Sequence, residues 1–466
     1  MKNPHLTFNA VIYTRREIAR RAGFEISGFS EDPFKKAGMQ LVYGLPDDGD
    51  HSTPSIYISP CAPQAWEELL DKQQDSLEWM ELDRVLPAGH NLPFDYQIPV
   101  LLWGESAKSH DVFVEQTPEG SIIFHADILA AVFFMLSRWE ESMTTDRDSH
   151  GRFPATSSVA YRQSFLDIPV VDAYALILRA WLQVIYPQWK PQINTFNIML
   201  SHDIDQIGVY RPIFPFGIRR LIKDTVCHTD KMFDMFKETI NGNWVDPFTD
   251  GVRQLAQASE DSGLHSEFYL MAANTPNKFD EGYSINSPLA RQIIATIQNF
   301  GYEIGFHPSY FTYDHTELFQ IEKARLESAV GVSLRGGRQH YLRADFPKTW
   351  RIWEQAGFEY DHTMTYADRE GFRAGTCHPF QPFDHQEDRS LNLTEIPLII
   401  MDGTLKQYRN MTIEEARQRI LKLAKRCRAV EGIFSLLWHN KSISGEWQFW
   451  GEMYLALLPE LKSLMQ

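Results

Sequence analysis

The pattern of hydrophobic and polar positions changes near residue 190. Before this point the apolar segments are irregular, and the richest of them, residues 127–143, would cover more than one face of a helix. Such a helix is expected to lie buried between layers. Pro187 and Pro191 flank a short polar link at the transition. The pattern therefore predicts two domains: an α+β domain over residues 1–190, and a second domain over residues 191–466.

After the transition, short apolar strands alternate with helices. Strands are predicted at 196–200, 266–270, 302–306, 393–400 and 433–437, and a helical or irregular insertion is predicted at 213–245. The intervening helices have clear starts: Ser287 precedes Pro288 at one, and Thr412 with Glu415 forms a capping box at another. This alternation predicts a parallel α/β domain of the kind found in (β/α) barrels.

Polar side chains collect where these strands end. The set comprises Asp203, Asp205, His307, His340, Asp361 and His439. Taken alone, each such residue is more often a helix cap or a partner in a structural hydrogen bond than a functional group. In a (β/α) barrel, however, all strand ends share one face. Carboxylates and imidazoles there suit a divalent ion such as zinc, together with the acid and base of a hydrolase.

Charge and composition exclude several classes of protein. The chain has 45 Lys and Arg against 61 Asp and Glu, a formal charge of -16, which disfavours generic binding to nucleic acid or to an anionic membrane. We see no signal peptide and no apolar run long enough to span a bilayer. The four cysteines are far apart without a CxxC pair, which favours a cytoplasmic setting. Nothing in the sequence predicts the oligomeric state.

The first 190 residues contain little recognisable chemistry. Asp146, Asp148 and Gly151 resemble half of a calcium-binding loop. No acidic residue stands at the end of a twelve-residue loop to complete it. We therefore predict a polar surface loop here.

Four segments in the second half follow the order of the motifs of a known family. They are His202-Asp203-Ile204-Asp205, Gly305-Phe306-His307-Pro308-Ser309-Tyr310, Arg338-Gln339-His340-Tyr341 and Leu436-Leu437-Trp438-His439. Over residues 191–466 the chain thereby resembles polysaccharide deacetylases, the NodB-homology domains of carbohydrate esterase family four. The resemblance implies a distorted (β/α) barrel and the removal of acetyl groups from N-acetylated sugars or glycan intermediates, with zinc or a similar divalent ion. The N-terminal half resembles an uncharacterised domain that precedes such domains in some bacterial proteins.

The resemblance also implies catalytic roles. Asp203 matches the base that deprotonates the attacking water, and Arg338 matches the residue that orients this base. His439 matches the acid that protonates the leaving amine.

The expected metal ligands are Asp205, His307 and a third residue. The family's second histidine falls at Phe311 in this chain, so the third ligand must come from elsewhere. His340 is the first choice, because it lies two residues beyond Arg338 and would face the same way in an extended segment. The poorer choices are His202, His315 and His378.

Four residues are predicted to contact the substrate: Arg343, Tyr341, Asp361 and Arg373. Arg343 would bind an anionic group or form an internal ion pair. Arg373 lies in a segment, residues 368–380, that either lines the mouth of the barrel or is an ordinary surface loop. Asp361 would support the site from a strand end.

Two other functions remain open. One is a metal-independent hydrolase of a non-peptide C–N bond in a small amide. The other is a non-catalytic glycan-binding protein, which the missing histidine at position 311 would favour. A pure binding protein has no need of an acid–base pair, so the sequence favours an enzyme.

Overall fold

The computed structural model of the chain describes residues 6–26, 32–46, 54–208, 246–273, 277–280 and 283–466. The predicted insertion at 213–245 lies outside these residues. Among the helices described, none combines the length and the apolar character needed to cross a bilayer.

Residues up to 190, here called the N-terminal region, combine helices with a small mixed sheet. Its helices are α1 (Phe8–Ala22), α2 (Pro33–Lys36), α3 (Ala65–Asp71), α4 (Leu82–Val85), α5 (Ile128–Leu136), α6 (Trp139–Met143), α7 (Val159–Arg162) and α8 (Val170–Ile185). Its strands are β1 (Leu41–Tyr43), β2 (Ile56–Ile58), β3 (Glu78–Met80), β4 (Ile98–Val100), β5 (Val114–Gln116) and β6 (Ile122–Phe124). The sheet order is β1-β2-β6-β5, and β3 pairs with β4.

The apolar segment at 127–143 forms two helices and not the single helix predicted. Every residue of α5 is buried, as its all-round apolar character predicts. The helix ends before Arg138, whose backbone is left-handed with φ of 53°. The buried Arg138 guanidinium then donates to Glu140 at 2.6 Å and to Glu141 at 2.8 Å in the next turn. A charged group is stable in the interior only when it is paired and hydrogen-bonded. The turn after α5 places the carboxylates of Glu140 and Glu141 beside the Arg138 guanidinium.

Residues from 191 onward, here called the C-terminal region, form an eight-stranded sheet in the mixed α/β pattern. Its strands are β7 (Asn197–Ile204), β8 (His265–Leu270), β9 (Glu303–Phe306), β10 (Gly336–Gly337), β11 (Tyr360–Asp361), β14 (Thr394–Glu395), β15 (Ile400–Met401) and β16 (Ile433–Leu437). The order is β14-β11-β10-β9-β8-β7-β16-β15, with every pair parallel. The predicted parallel sheet is confirmed. It curls as a half-barrel, and among the described strands β14 and β15 do not pair to close it.

Helices and one short hairpin complete the region. They are α9 (Pro247–Ser262), α10 (Pro288–Asn299), α11 (Thr316–Val330), α12 (Lys348–Gln355), α13 (Ile413–Ala429) and α14 (Gln448–Ser463), with the hairpin β12 (Phe383–Asp384) and β13 (Arg389–Ser390). The Ser287 cap and the capping box at Thr412 and Glu415 are confirmed. The strand predicted at 393–400 is instead split into β14 and β15 on opposite edges of the sheet, with Pro397, which has no N–H to donate, between them.

The two regions pack against each other through one continuous hydrophobic core. The segment 368–380, for which a surface loop was one interpretation, is largely buried between them. The backbone N–H of Phe372 donates to the carbonyl of Leu166 at 2.7 Å. Gly371 has φ of 132°, and a Cβ there would lie 2.4 Å from the same carbonyl oxygen, so this close approach requires glycine.

Candidate active site

Strand β7 carries two carboxylates to the carboxyl edge of the sheet. It lies between β8 and β16, and its residues 198–204 are buried, as expected of an apolar central strand in a parallel sheet. Asp203 lies near the end of β7, and Asp205 is the first residue after the strand. Alternate residues of an extended chain share a face, and both Asp side chains line one pocket. His202, which precedes Asp203, does not line this pocket, and its Nδ1 lies 2.8 Å from the carbonyl oxygen of Trp438.

Asp205, His307 and His340 present ligand-type atoms that all lie within 4.8 Å of one another. Nε2 of His307 is 3.3 Å from Oδ1 of Asp205, and Nε2 of His340 is 3.8 Å from the same oxygen. This oxygen is buried and has no hydrogen-bond partner within the described ranges. A buried carboxylate oxygen facing two imidazole nitrogens is a donor set that fits a divalent cation such as zinc.

Both imidazoles are oriented by their other ring nitrogen. Nδ1 of His307 lies 2.7 Å from the carbonyl oxygen of Arg338, and Nδ1 of His340 lies 2.7 Å from Oδ1 of Asp280. These acceptors require the proton on Nδ1, which leaves Nε2 as the basic nitrogen in each ring. Metal-binding histidines characteristically have such a partner behind them, because it fixes both tautomer and direction.

Phe311, the position at which the resemblance implies a second histidine, lies outside this group, whereas His340 is part of it. Phe311 is 48% exposed, and its ring contacts Tyr310 and Phe279. The three poorer candidates lie outside the group: His202, His315 and His378. His315 instead accepts the backbone N–H of Leu318 at the start of α11.

Asp203 is held by a buried arginine. Arg338 donates from Nη1 to Oδ1 of Asp203 at 2.7 Å, from Nη2 to Ser201 at 2.8 Å and from Nε to the carbonyl of His362 at 2.9 Å. Its side chain is fully buried, so these bonds fix the guanidinium firmly. Oδ2 of Asp203 lies 3.7 Å from Nε2 of His307, beside the group of ligand-type atoms.

His439 approaches from the opposite edge of the pocket with a carboxylate behind it. Nδ1 of His439 lies 2.7 Å from Oδ1 of Asp402, and the backbone N–H of His439 donates to Oδ2 of Asp402 at 3.0 Å. Burial disfavours the imidazolium, but the carboxylates of Asp402 and Asp205 outweigh it and raise the pKa of His439. The arrangement suits a general acid whose Nε2 faces the pocket.

Lys441 adds a cation to the same edge. Its Nζ lies 2.8 Å from Oδ2 of Asp205, the oxygen that does not face the two imidazoles. Burial alone would raise the pKa of Asp205, but Lys441 and His439 hold it well below its usual range. Asp205 is therefore ionised and ready to bind a cation at neutral pH.

These groups open into one pocket with a volume of about 290 Å³, at the small end of the roughly 300–1,000 Å³ typical of ligand sites. Its aromatic walls are Phe279, Tyr341, Tyr408 and Trp447. Its cations are Arg152, Lys278 and Lys441. A small polar ligand with one apolar face would match this lining.

Of the four predicted substrate contacts, Tyr341 lines this pocket and the other three do not. Arg343 is stacked between the rings of Tyr310 and Tyr313, each at 3.9 Å. Arg373 pairs with Glu141 of the N-terminal region at 2.6 Å. Asp361 is fully buried and accepts from Thr363.

A second group of ligand-type side chains is buried between the two regions: Asp172, Cys377 and His378. Its atoms already have partners. Asp172 accepts from Arg21 at 2.9 Å and from the backbone N–H of Cys377 at 2.9 Å. Nε2 of His378 lies 2.8 Å from the carbonyl of Val430. These bonds join the two regions.

Three residues that contact the site's histidines or Asp205 were missed from the sequence. Asp402 directly follows β15, so the strand-end signal that singled out Asp203 would have found it had that strand been placed correctly. Lys441 lies two residues beyond His439 and was overlooked. Asp280 lies in a segment between β8 and α10 without helical or strand periodicity, and no sequence signal points to it.

Comparisons with known proteins give the following likenesses. Residues 64–187 match a family of unknown function, DUF7033. No curated protein matches the chain. A structure of a candidate polysaccharide deacetylase from Mycobacterium smegmatis is similar at 16% identity and a TM-score of 0.36, over 58% of this chain and 86% of that one.

Two further solved structures are similar at lower scores. A family 4 carbohydrate esterase from Streptomyces lividans in complex with acetate has 12% identity and a TM-score of 0.29, over 59% of this chain and 88% of that one. A candidate polysaccharide deacetylase involved in O-antigen biosynthesis from Bordetella bronchiseptica has 13% identity and a TM-score of 0.27, over 58% of this chain and 84% of that one. At TM-scores below 0.5 these likenesses establish neither the fold nor the activity of the chain.

Proposed function

We propose that this protein is a metal-dependent hydrolase that removes the acetyl group from an N-acetylated sugar or glycan intermediate. One observation carries the proposal: a cation-binding group, an Arg-held carboxylate and a carboxylate-backed histidine line the same pocket. The order of the four motifs, which resembles that of polysaccharide deacetylases, supports the same conclusion. In this proposal residues 191–466 form the catalytic domain, which follows an N-terminal α+β domain over residues 1–190.

Asp205, His307 and His340 would hold the metal ion. Their free atoms are the unpartnered Oδ1 of Asp205 and the two Nε2 atoms, whose rings are already oriented. A bound divalent ion supplies Lewis-acid polarisation of the amide carbonyl and of the attacking water.

Asp203 acts as the general base. Arg338 binds its Oδ1, which leaves Oδ2 on the side of His307 to accept a proton from water. The same ion pair prevents the carboxylate from rotating. Proton transfer to a positioned carboxylate of this kind contributes about 10²- to 10⁴-fold to rate.

His439 acts as the general acid. The carboxylates of Asp402 and Asp205 raise its pKa and so favour the imidazolium, and Asp402 fixes its ring through Nδ1. Nε2 then carries the proton that the departing amine nitrogen needs as the C–N bond breaks. After the reaction, the proton taken by Asp203 and the proton lost by His439 are exchanged through solvent.

The lining of the pocket supports a sugar as the substrate. Sugar rings have apolar C–H faces and polar edges, and the aromatic rings of Tyr341, Tyr408 and Trp447 provide apolar surface beside polar groups. The small volume favours one or two sugar rings over a long polymer chain.

The test is acetate release from a panel of N-acetylated monosaccharides and short oligosaccharides, with zinc added. Asp203→Asn should lower kcat by at least about 10²-fold and leave folding intact. The matched control is Asp384→Asn, since Asp384 is also a buried carboxylate paired with an arginine, Arg351, but lies outside the pocket. Full activity in Asp203→Asn, on a substrate that the wild type hydrolyses, would rule out the assigned base.

A second candidate is a metal-independent hydrolase of a small amide. The contact between Lys441 and Asp205 favours it, because an ammonium group there supplies positive charge without a metal. Metal analysis after purification without chelators separates the two. Activity that persists after removal of all divalent ions would favour the second candidate and refute the first.

A further inference from the structure

A loop of the N-terminal region reaches the proposed site. Residues 146–153, predicted as a polar surface loop, lie against the segment 338–343 that carries Arg338 and His340. Arg152 of this loop is 7% exposed and lines the same pocket as Asp205. The loop is thus part of the pocket wall, although it comes from the other side of the predicted domain boundary.

Arg152 is fixed at both ends of its guanidinium. Nε and Nη2 contact Oδ2 of Asp148 at 2.8 and 2.7 Å. Nη1 donates to the carbonyl of Tyr341 at 2.8 Å, and Nη2 donates to the hydroxyl of Tyr408 at 3.2 Å. A planar guanidinium held in this way is rigid, so the position of the loop determines where Arg152 holds the Tyr341 carbonyl.

The backbone that Arg152 contacts is strained. Tyr341 and Leu342 have φ of 59° and 56°, two consecutive non-glycine residues in the left-handed region. Such conformations cost energy and persist only where the surroundings hold them. They follow directly after His340, so any relaxation of this turn would rotate the His340 side chain away from Asp205.

His150 holds the other side of the same turn. Its carbonyl accepts from Nε of Arg343 at 2.7 Å, and its ring lies 4.8 Å from the ring of Tyr341. Its Nδ1 is 3.1 Å from the hydroxyl of Tyr310. The loop therefore contacts the turn through backbone, ring and guanidinium at once.

We propose that Arg152 is a positioning residue of the active site: by holding the Tyr341 carbonyl, it keeps the strained turn in the form that directs His340 towards Asp205. The proposal rests on the proposed function, in which His340 is a metal ligand. It makes the N-terminal region a working part of the site. A C-terminal region expressed alone would lack this contact.

The test measures zinc affinity of the metal-free, full-length protein by calorimetry. Arg152→Ala should weaken zinc binding about 10- to 100-fold, the usual effect of removing a residue that orients a ligand. Arg152→Lys, which can keep one donor, should give a smaller loss. Arg162→Ala is the matched control, because Arg162 also donates to two backbone carbonyls, of Leu70 and Lys72, but far from the pocket.

The outcomes separate this inference from the proposed function. Wild-type zinc affinity in Arg152→Ala would overturn it, and so would an equal loss in Arg162→Ala, which would indicate general destabilisation. If the wild type bound no zinc, or if Asp205→Asn bound zinc normally, both the metal site and this inference would fail. Should Arg152→Ala not fold, Asp148→Asn frees the same guanidinium and should weaken zinc binding in the same direction; unchanged binding there would also overturn the inference.

Discussion

Replacing Asp402 with asparagine tests how His439 is prepared for proton donation. The carboxylate accepts two bonds from the same residue, from Nδ1 at 2.7 Å and from the backbone N–H at 3.0 Å. Asparagine keeps the shape and one acceptor but removes the negative charge. The imidazolium then loses its nearest counter-charge, and the pKa of His439 falls.

The expected size follows from the bond that is lost. A hydrogen bond to a charged group contributes about 1.5–3 kcal/mol. At about 1.4 kcal/mol for each factor of ten, Asp402→Asn should lower kcat/KM on an N-acetylated sugar by about 10- to 150-fold. As the proposed acid, His439 must be protonated, so activity should fall as pH rises through its pKa. Asp402→Asn should therefore move this basic limb of the pH profile to lower pH.

The assay is the pH dependence of kcat/KM for acetate release, in wild type, Asp402→Asn and the buried control Asp384→Asn. The control should keep the wild-type profile, since Asp384 pairs with Arg351 and lies outside the pocket. A tenfold loss of activity in Asp402→Asn with an unmoved basic limb would refute the reasoning, because the carboxylate would then act only through folding.

Two further predictions concern stability. Burial lowers the pKa of His202 from 6.5 to about 4. Between pH 6.5 and pH 4 this residue is therefore more protonated in the unfolded chain than in the folded protein, so the free energy of unfolding falls as pH falls. This residue should account for about 1.4 kcal/mol per pH unit, or roughly 3 kcal/mol in all. In denaturant unfolding, His202→Gln should flatten the slope between pH 6.5 and 4, and an unchanged slope would contradict this. Burial disfavours ionised Glu141, but Arg373 and Arg138 outweigh it and lower its pKa. The stability gained from these ion pairs is complete above the pKa of Glu141 in the unfolded chain. It is lost as pH falls through the pKa of Glu141 in the folded protein. Glu141→Gln should therefore cost about 3–5 kcal/mol at pH 7. This cost should shrink as pH falls below the pKa of Glu141 in the unfolded chain, and a cost that does not change with pH would refute the assignment.

The strand-end residues were predictable because the geometry of a parallel sheet is simple. Asp203, Asp205, His307 and His439 each follow an apolar run that forms a strand of that sheet. Parallel strands bring their carboxyl ends to one edge, so the chain pattern alone indicates which side chains will meet. His340 follows the short strand β10 and was also placed by its spacing from Arg338.

Residues that orient these side chains were not predictable in the same way. Asp280 reaches His340 from a segment 60 positions away, without regular structure of its own. Arg152 arrives from the N-terminal region, which the sequence treats as a separate unit. Such contacts depend on how loops and regions pack, and hydrophobic periodicity carries no information about them. The strained turn at Tyr341 is likewise imposed by tertiary contacts against the preference of the residue itself.

The roles of the two neighbouring aspartates are set by their partners and not by their positions on β7. Both are nearly buried carboxylates at one strand end. Asp203 has one oxygen bound to the guanidinium of Arg338, a group that only donates hydrogen bonds, so the other oxygen remains as a proton acceptor. Asp205 has one oxygen on Lys441 and the other unpartnered before two imidazole Nε2 atoms. In the proposed function, exchanging these partners would exchange base and ligand, so the difference between the two aspartates comes from the segments that supply Arg338 and Lys441.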